Sequence, residues 1–251
     1  MLPNCIYQEE DLFPGRFASR EDRPYGVLFY NEINRDSYDS NHALIYRERV
    51  EDLDWVLRDI KQFYLEKGLK PIIYQAILDD GYFDEIRETL SAHGFDSWTE
   101  AQKYMLLREP SSIVPNPEIE VRQETVWREE FAAEIFEKAG EPWEIGVVKQ
   151  ALETPGTAFF VAYYRGKPVG MTHCHVAQGV CRVDYLLVNK ESRGLGAGRA
   201  LMHRFVKYCA ENRFPLPYLW VTLDTAEKIY LEAGYRHVET KLAGRAGYIG
   251  P

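Results

Sequence analysis

Apolar and polar positions along residues 126–242 repeat with the periods of helices and strands. Apolar residues three or four positions apart indicate amphipathic helices, and short runs of aromatic and β-branched residues between turns indicate strands. The turns RGKP (165–168) and AQG (177–179) are typical of hairpins. The predicted elements are helices at 126–139 and 143–152, strands at 158–164, 169–176 and 180–188, a helix ending near residue 211, a strand at 216–223, a helix at 225–233 and a strand at 235–242.

The first half of the chain repeats part of this order. Its pattern predicts a helix at 53–67, a strand at 72–78, a helix at 82–93 and a strand that ends at 107. In both halves a helix is followed by a proline-containing entry, a strand, a second helix, a glycine with an aromatic residue, and a last strand. We interpret this order as a degenerate duplication, with a chance similarity of two α/β segments as the alternative.

A linker separates the two halves. Residues 108–120 contain three prolines and two serines, and proline neither continues a helix nor fits a central strand. We therefore predict an N-terminal domain over residues 1–112 and a C-terminal domain over residues 113–251.

Composition and charge narrow the classes of function. The formal net charge of −9 argues against a nucleic-acid-binding protein, which usually carries a basic patch. No run reaches the roughly 18 apolar residues of a membrane helix, and the acidic N-terminus lacks the apolar core of a secretory signal. The four cysteines form no C-x-x-C pair and fit no zinc-site spacing, so no metal site is predicted. We expect free thiols and a cytoplasmic protein without nucleic-acid or membrane partners.

Three glycines stand where the helix after residue 196 is expected to begin. Gly194, Gly196 and Gly198 occupy alternate positions, and Arg193 and Arg199 flank them. Glycine weakens a helix by about 1 kcal/mol relative to alanine, so these positions require bare backbone for another reason. The first turn of a helix presents N–H groups without intrahelical partners, which together with the helix dipole attract phosphate. The stretch therefore predicts a phosphate site, to which both arginines add charge.

Two common phosphate loops do not match this stretch. A P-loop ends in Gly-Lys-Ser/Thr, whereas this one continues with Gly198, Arg199 and Ala200. A dinucleotide-binding fingerprint needs G-x-G-x-x-G, and here the third glycine comes one residue early, after antiparallel hairpins instead of within a β-α-β unit.

The stretch resembles the GNAT superfamily of acetyl-CoA-dependent N-acetyltransferases. That family carries Arg/Gln-Gly-x-Gly-x-Gly/Ala after a strand, which the segment 193–198 matches in full. A second family motif, A-x-x-x-Y-x-x-x-G-F/Y, matches at Ala226, Tyr230, Gly234 and Tyr235. The resemblance covers about residues 118–242. The chain departs from the family at Leu223, where an asparagine often supports the cofactor, so some cofactor contact is expected to be missing or replaced.

The resemblance implies an α+β fold and a cofactor site. The fold class is a mixed, mostly antiparallel GNAT-type sheet flanked by helices, as a tandem of two GNAT-like halves of which the N-terminal one has no cofactor motif. The sheet would splay between the strands at 180–188 and 216–223 to admit the pantetheine of acetyl-CoA. The implied cofactor-binding residues are Leu186, Leu187, Val188, Arg193, Gly194, Leu195, Gly196, Ala197, Gly198 and Arg199.

The resemblance also implies a proton donor and leaves the base open. Tyr230 matches the tyrosine that protonates the departing thiolate, with mere packing as its alternative role. Side-chain alternation on the strand 180–188 predicts that Arg182, Asp184 and Leu186 share one face. Asp184 is the predicted base, with a salt bridge to Arg182 as the alternative. The alternative bases are His173 and His175, which are expected to share one face of the neighbouring strand.

The implied function is direct transfer of an acetyl group from acetyl-CoA to a primary amine of a small molecule, amino acid or peptide. The alternatives are a non-catalytic acetyl-CoA-binding or regulatory protein, and an interaction module in which the duplication serves dimerisation. A homodimer remains possible under each of them. Nothing in the sequence identifies the acceptor amine.

Overall fold

The computed structural model describes residues 1–78, 81–222 and 224–250, with the side chains of residues 224 and 225 left aside. Within it, two units each make most of their contacts internally. The C-terminal unit comprises Met1–Ile6 and Lys103–Glu239. The N-terminal unit comprises Tyr7–Gln102 and Thr240–Pro251.

The predicted helices and strands occur in the predicted order, together with elements that were not predicted. The helices and strands are, in chain order, α1 (Asn4–Leu12), β1 (Ser19–Arg23), β2 (Gly26–Tyr30), β3 (His42–Ile45), α2 (Leu53–Glu66), β4 (Ile72–Leu78), α3 (Tyr82–Glu85), α4 (Arg87–Ala92), β5 (Phe95–Leu107), β6 (Ile119–Glu124), α5 (Glu129–Phe131), α6 (Glu144–Leu152), β7 (Thr157–Tyr164), β8 (Lys167–Ala177), β9 (Val180–Val188), α7 (Ala197–Asn212), β10 (Pro217–Val221), α8 (Asp224–Glu232) and β11 (Tyr235–Tyr248). Of these, α1, β1, β2, β3 and β6 were not predicted. Single 3₁₀ turns follow α1, β3 and β9.

The sheet of the C-terminal unit has the order β11-β5-β10-β9-β8-β7-β6. Strands β6 to β9 form antiparallel hairpin pairs, β9 and β10 run parallel, and β10 pairs with β5 antiparallel. The hairpin turns contain Gly166 and Gly179, both at positive φ. The prediction of a mixed, mostly antiparallel sheet flanked by helices is confirmed.

The sheet of the N-terminal unit repeats this arrangement in the order β1-β2-β3-β4-β11. A parallel pair, β3 and β4, again follows antiparallel pairs and is followed by an antiparallel partner, β11. Each sheet contains a strand from the other half of the sequence, because β5 pairs with β10 and β11 pairs with β4. The units therefore differ from the predicted division at 112/113: residues 103–107 belong to the C-terminal unit, and residues from 240 onward belong to the N-terminal unit.

Two apolar clusters cover the two faces of the C-terminal sheet. On β7, Phe160 and Ala162 pack in the cluster that contains α7, whereas Phe159 and Val161 pack in the cluster that contains the helical segment after α5. The strand is thus buried on both faces, which explains its nearly continuous apolar sequence. In the N-terminal unit, the apolar stripe of α2 packs in a separate cluster, and Asp52 caps this helix by accepting a hydrogen bond from the Trp55 N–H (3.0 Å).

Three predicted elements differ from the structure. The helix predicted at 82–93 is divided at Ile86 into α3 and α4. The helix expected at 126–139 begins at Glu129, and Val126 is 69% exposed, so Val126 is wrongly predicted as part of its apolar face. Residues 132–137 of this helix form a π-helix, which periodicity alone does not reveal. The last strand, predicted at 235–242, continues to Tyr248 because its second half pairs with β4. The four cysteines are free, as predicted.

Candidate functional site

The glycine stretch forms a tight turn that leads into α7. Gly194 and Gly196 have φ of 85° and 89°, in the left-handed region that residues with a Cβ rarely adopt. Gly196 is the N-cap of α7, and Gly198 lies inside its first turn. A Cβ on Gly198 would lie 3.3 Å from Ile229 Cδ1, so that glycine permits close packing of α7 against α8. The two preceding glycines leave backbone N–H groups uncovered at the helix start, which is the geometry that binds phosphate.

Two asparagines hold this turn in place, and sequence reasoning missed both. Asn189 accepts a hydrogen bond from the Ser192 N–H through Oδ1 (2.9 Å) and donates one from Nδ2 to the Glu134 carbonyl (2.8 Å) in the π-helix. Asn116 donates from Nδ2 to the Leu195 carbonyl (2.9 Å). The position of Asn189 directly after a strand was the available signal, because asparagine commonly starts a turn there. The linker that carries Asn116 is thus part of the site.

The two flanking arginines differ in their surroundings. Arg199 donates from Nε and Nη2 to the Glu232 carboxylate (2.5 and 2.8 Å), which joins α7 to α8. This pairing raises the pKa of Arg199 and lowers that of Glu232. The Arg193 side chain is exposed and makes no ion pair within the described residues. Of the two predicted side chains, only that of Arg193 is therefore available to an incoming phosphate without breaking an existing pair.

The strand β9 has an open edge beside this turn. In the described residues its register with β10 consists of Pro217↔Cys181 and Tyr218↔Arg182, and the pairing stops there. The Leu187 carbonyl faces β8, since a Cβ on Gly170 would lie 2.7 Å from its oxygen. Main-chain groups of successive strand residues point to opposite edges. The N–H and C=O groups of Leu186 and Val188, on either side of Leu187, therefore face the open edge.

Of the three residues of β9 that are predicted to contact the cofactor, two turn their main chain toward the open edge. Leu186 and Val188 offer N–H and C=O groups to an extended ligand at the open edge, as another strand would use them. Leu187 turns its main chain toward β8, and its side chain lies in the apolar cluster behind the sheet. Leu223, at which the sequence departs from the family pattern, lies outside the described residues.

A β-bulge at Asp184 changes the facing of the side chains on β9. His173 of β8 is opposite Tyr185, and the next residue, Cys174, is opposite Val183, so Asp184 is the extra residue. Leu186 packs in the cluster that contains α7, as Val183 does. The prediction that Leu186 shares a face with Arg182 and Asp184 is therefore wrong, because the bulge shifts the alternation by one residue.

Asp184 lies in a buried group of charged and imidazole side chains. Its carboxylate pairs with the Arg182 guanidinium, and its Oδ2 lies 3.3 Å from His173 Nε2. The rings of His173 and His175 are 5.5 Å apart, so these histidines do share one face of β8 as predicted. The predicted base thus has the salt bridge that sequence analysis gave as its alternative role.

The surroundings set the charge of these groups. Burial would raise the pKa of the Asp184 carboxyl, but Arg182, His173 and His175 together hold that pKa below its usual value. Burial lowers the pKa of His173, and Arg182 adds to this, while Asp184 opposes it. The Asp184 side chain is 11% exposed, compared with 4% for Arg182 and 1% for His173, so it is the most accessible of the three.

Tyr230 projects from α8 into the apolar cluster that also contains Leu186, Val188 and the first turn of α7. It is 7% exposed, and burial raises the pKa of its phenol to about 12. Its ring centroid lies 6.2 Å from that of Tyr235. The phenol consequently keeps its proton at neutral pH, as a proton donor must.

The N-terminal unit lacks a comparable glycine turn. Between β3 and α2 the described residues have no positive φ, and a 3₁₀ turn, Arg47–Arg49, takes that place. A cavity of about 220 Å³ adjoins this turn. Asp11 lines the cavity together with Glu48, and burial with the charges of Glu10 and Glu48 raises the pKa of Asp11 to about 6. Carboxylates at this position disfavour phosphate, in contrast to the glycine turn of the C-terminal unit.

Comparison with known proteins finds a family match for the part of the chain that carries the glycine turn. The model of the acetyltransferase (GNAT) family matches residues 121–235. A search of curated protein sequences finds no match to this chain. Within the described residues, none of the helices combines the length and apolar character that a membrane crossing requires.

Solved structures similar to this chain share its fold at low sequence identity. A GCN5-related N-acetyltransferase from Kribbella flavida is 16% identical with a TM-score of 0.68, covering 99% of this chain and 95% of that one. A GNAT-family protein from Novosphingobium aromaticivorans is 14% identical with a TM-score of 0.57, covering 97% and 99%. A tandem GNAT protein from the clavulanic acid biosynthesis pathway is 13% identical with a TM-score of 0.54, covering 84% and 76%.

Proposed function

Because residues 121–235 are a GNAT acetyltransferase domain, a family that takes its acetyl group from acetyl-CoA, we propose that this protein transfers that group directly to a primary amine. The acceptor is the amine of a small molecule, an amino acid or a peptide. One observation carries the proposal: the pairing of β9 with β10 stops before Leu186 and Val188, which lie in the same apolar cluster as Tyr230. The buried carboxylate of Asp184 comes two residues before Leu186 on the same strand.

Binding of acetyl-CoA relies on main-chain groups. The pyrophosphate accepts hydrogen bonds from the N–H groups of residues 194–199, and Arg193 adds its charge. The pantetheine pairs with Leu186 and Val188 along the open edge of β9. This fit is supported by the positive φ of Gly194 and Gly196, which leaves the helix start uncovered.

The carboxylate of Asp184 prepares the amine. A primary amine carries an extra proton at neutral pH and must lose it before it can attack a thioester carbonyl. The carboxylate of Asp184 attracts the ammonium group and takes its proton, directly or through a water molecule. Arg182 keeps the carboxylate ionised, so the charge that attracts the ammonium is present before the substrate arrives.

The phenol of Tyr230 completes the transfer. The amine nitrogen bonds to the carbonyl carbon, the bond from that carbon to sulfur breaks, and the sulfur takes the Tyr230 proton. The nitrogen then gives up its second proton, which restores the Tyr230 phenol through water, and Asp184 releases the first proton to solvent. The products are therefore an amide, a free thiol and one proton. The raised pKa of Tyr230 supports this role, because the phenol is protonated throughout the neutral range.

Release of thiol from acetyl-CoA tests the proposal. The full chain is incubated with acetyl-CoA and a panel of amines, amino acids and peptides, and the amide product is identified by mass spectrometry. We expect amine-dependent thiol release that Asp184→Asn reduces, while Glu153→Gln, which changes an exposed carboxylate at the end of α6, serves as the control. Tight acetyl-CoA binding without transfer to any amine would instead favour the non-catalytic reading.

A further inference from the structure

Three side chains next to the bulge on β9 lie close to one another. One ring nitrogen of His173, one of His175 and a carboxylate oxygen of Asp184 all lie within 4.8 Å of one another. We propose that these three residues form a binding site for a divalent transition-metal ion, for which Zn²⁺ is the best-fitting choice. The proposed acetyl transfer bears on this site in one respect: the carboxylate that holds the ion is the one that receives the proton of the amine.

The contact between Asp184 and His173 has the spacing of two ligands and lacks the geometry of a hydrogen bond. Asp184 Oδ2 and His173 Nε2 are 3.3 Å apart, yet neither ring nitrogen of His173 forms a hydrogen bond within the described residues. Two atoms that each lie about 2.1 Å from one tetrahedral ion are about 3.4 Å apart. The observed separation therefore matches that of two ligands of one ion.

Burial makes this arrangement unusual for a protein interior. His173 is 1% exposed, and the residue opposite it on β7 is the apolar Phe159. Buried polar atoms are hydrogen-bonded in the large majority of cases, and an exception calls for an explanation such as an ion. A metal ion at Nε2 provides the missing partner for one of the two nitrogens.

The third ligand, His175, is positioned by a neighbour on β7. Thr157 is opposite His175 in the register of β7 and β8, and its Oγ1 lies 2.9 Å from His175 Nδ1. When Nδ1 carries the proton and donates it to the threonine oxygen, Nε2 presents its lone pair. Metal-binding histidines almost always donate their other N–H in this way. The spacing of up to 4.8 Å is roughly 1.4 Å longer than the ideal one, so the side chain rotates toward the ion on binding.

The ligand set selects the kind of ion. Two imidazoles and one carboxylate suit zinc and other imidazole-binding metals, whereas Mg²⁺ and Ca²⁺ require oxygen ligands. Arg182 pairs with the other oxygen of Asp184 and orients the carboxylate, as outer partners of metal ligands do. Three protein ligands leave a position for water on the exposed side of Asp184.

A cobalt titration tests the site without relying on turnover. The full chain, freed of metal by a chelator, is titrated with Co²⁺, whose visible absorption reports coordination by nitrogen and oxygen, and Zn²⁺ is then added as a competitor. We expect one ion per chain, displaced by Zn²⁺, with binding lost in His173→Leu. Thr157→Val should weaken binding about 10-fold, since it removes only the outer hydrogen bond. His237→Ala, which removes an exposed imidazole elsewhere, should bind Co²⁺ as the unmodified chain does.

Each outcome decides the inference. The absence of Co²⁺ binding by the unmodified chain overturns it, as does unchanged affinity in His173→Leu. Should His173→Leu fail to fold, as judged by loss of acetyl-CoA binding, the affinity of Thr157→Val decides, and an affinity equal to that of the unmodified chain overturns the site. Because the ion engages the proposed base, Zn²⁺ should also inhibit amine acetylation until a chelator is added. Metal binding without any acetylation refutes the proposed function alone, and acetylation without metal binding refutes this inference alone.

Discussion

Replacement of Gly196 by alanine separates the backbone role of the glycine turn from its role in binding. Gly196 has a φ of 89°, and an added Cβ would meet only Asn116 Cβ at 3.6 Å, so the folded chain has room for it. The cost is the left-handed conformation itself, about 1–2 kcal/mol for a residue with a Cβ. For a chain of this length that corresponds to a decrease in Tm of roughly 2 to 8 °C. Gly179→Ala is the matched control, since Gly179 has a φ of 78° and nothing within 4 Å of an added Cβ.

The two variants should differ in acetyl-CoA affinity alone. A methyl group at Gly196 keeps the pyrophosphate from one N–H group and so removes one hydrogen bond to a charged group, about 1.5–3 kcal/mol. This corresponds to a Kd that is roughly 10- to 150-fold higher. Thermal unfolding gives the stability of both variants, and isothermal titration calorimetry gives their Kd. Equal acetyl-CoA affinity in Gly196→Ala and Gly179→Ala would refute the assignment of the pyrophosphate to this turn.

Three further predictions concern other parts of the site. Tyr230→Phe should lower kcat by about 100-fold or more at unchanged acetyl-CoA affinity, and the rate of the unmodified chain should show no loss from Tyr230 ionisation up to pH 10, because the pKa of the phenol is about 12; equal turnover of both proteins across pH 6 to 10 would remove the phenol from the mechanism. Arg193→Ala should weaken acetyl-CoA binding in calorimetry more than Arg199→Ala, whose side chain is engaged with Glu232, and the reverse order would contradict this assignment. Met105→Ala, in the strand β5, should reduce the free energy of unfolding measured in urea by about 2–5 kcal/mol and lower the melting temperature of the acetyl-CoA-bound protein; an unchanged midpoint would argue against burial of β5 in the C-terminal unit.

The local features of the site were predictable from the sequence because their causes are local. A glycine at positive φ and a helix start depend on a few adjacent residues, so the turn at 194–198 and the helix after it were recognised directly. The hairpins at 165–168 and 177–179 were recognised for the same reason. The periods of the apolar residues predicted the helices α7 and α8 and each strand from β7 to β11 in the correct order.

The exchange of strands was not predictable, because strand pairing is a long-range property. The proline-rich linker after β5 suggested a boundary there. The structure places residues 103–106 opposite β10, where Tyr104 and Met105 are fully buried. The last part of β5 already belongs to the C-terminal unit. The linker comes after β5 and therefore does not mark the start of that unit.

The bulge at Asp184 shows why one extra residue matters for the chemistry of this site. The Cys181 N–H bonds to the Leu216 carbonyl, so main-chain groups at odd positions face β10 before the bulge. The Asn189 N–H bonds to the Val169 carbonyl, so after the bulge odd positions face β8 and even ones face the open edge.

An unbulged strand would turn Leu187 to the open edge and would place Leu186 and Asp184 on one face, as the sequence analysis assumed. The bulge instead keeps Asp184 with His173 behind the sheet while the next two even residues, Leu186 and Val188, present their backbone to a ligand and their side chains to the cluster that contains Tyr230.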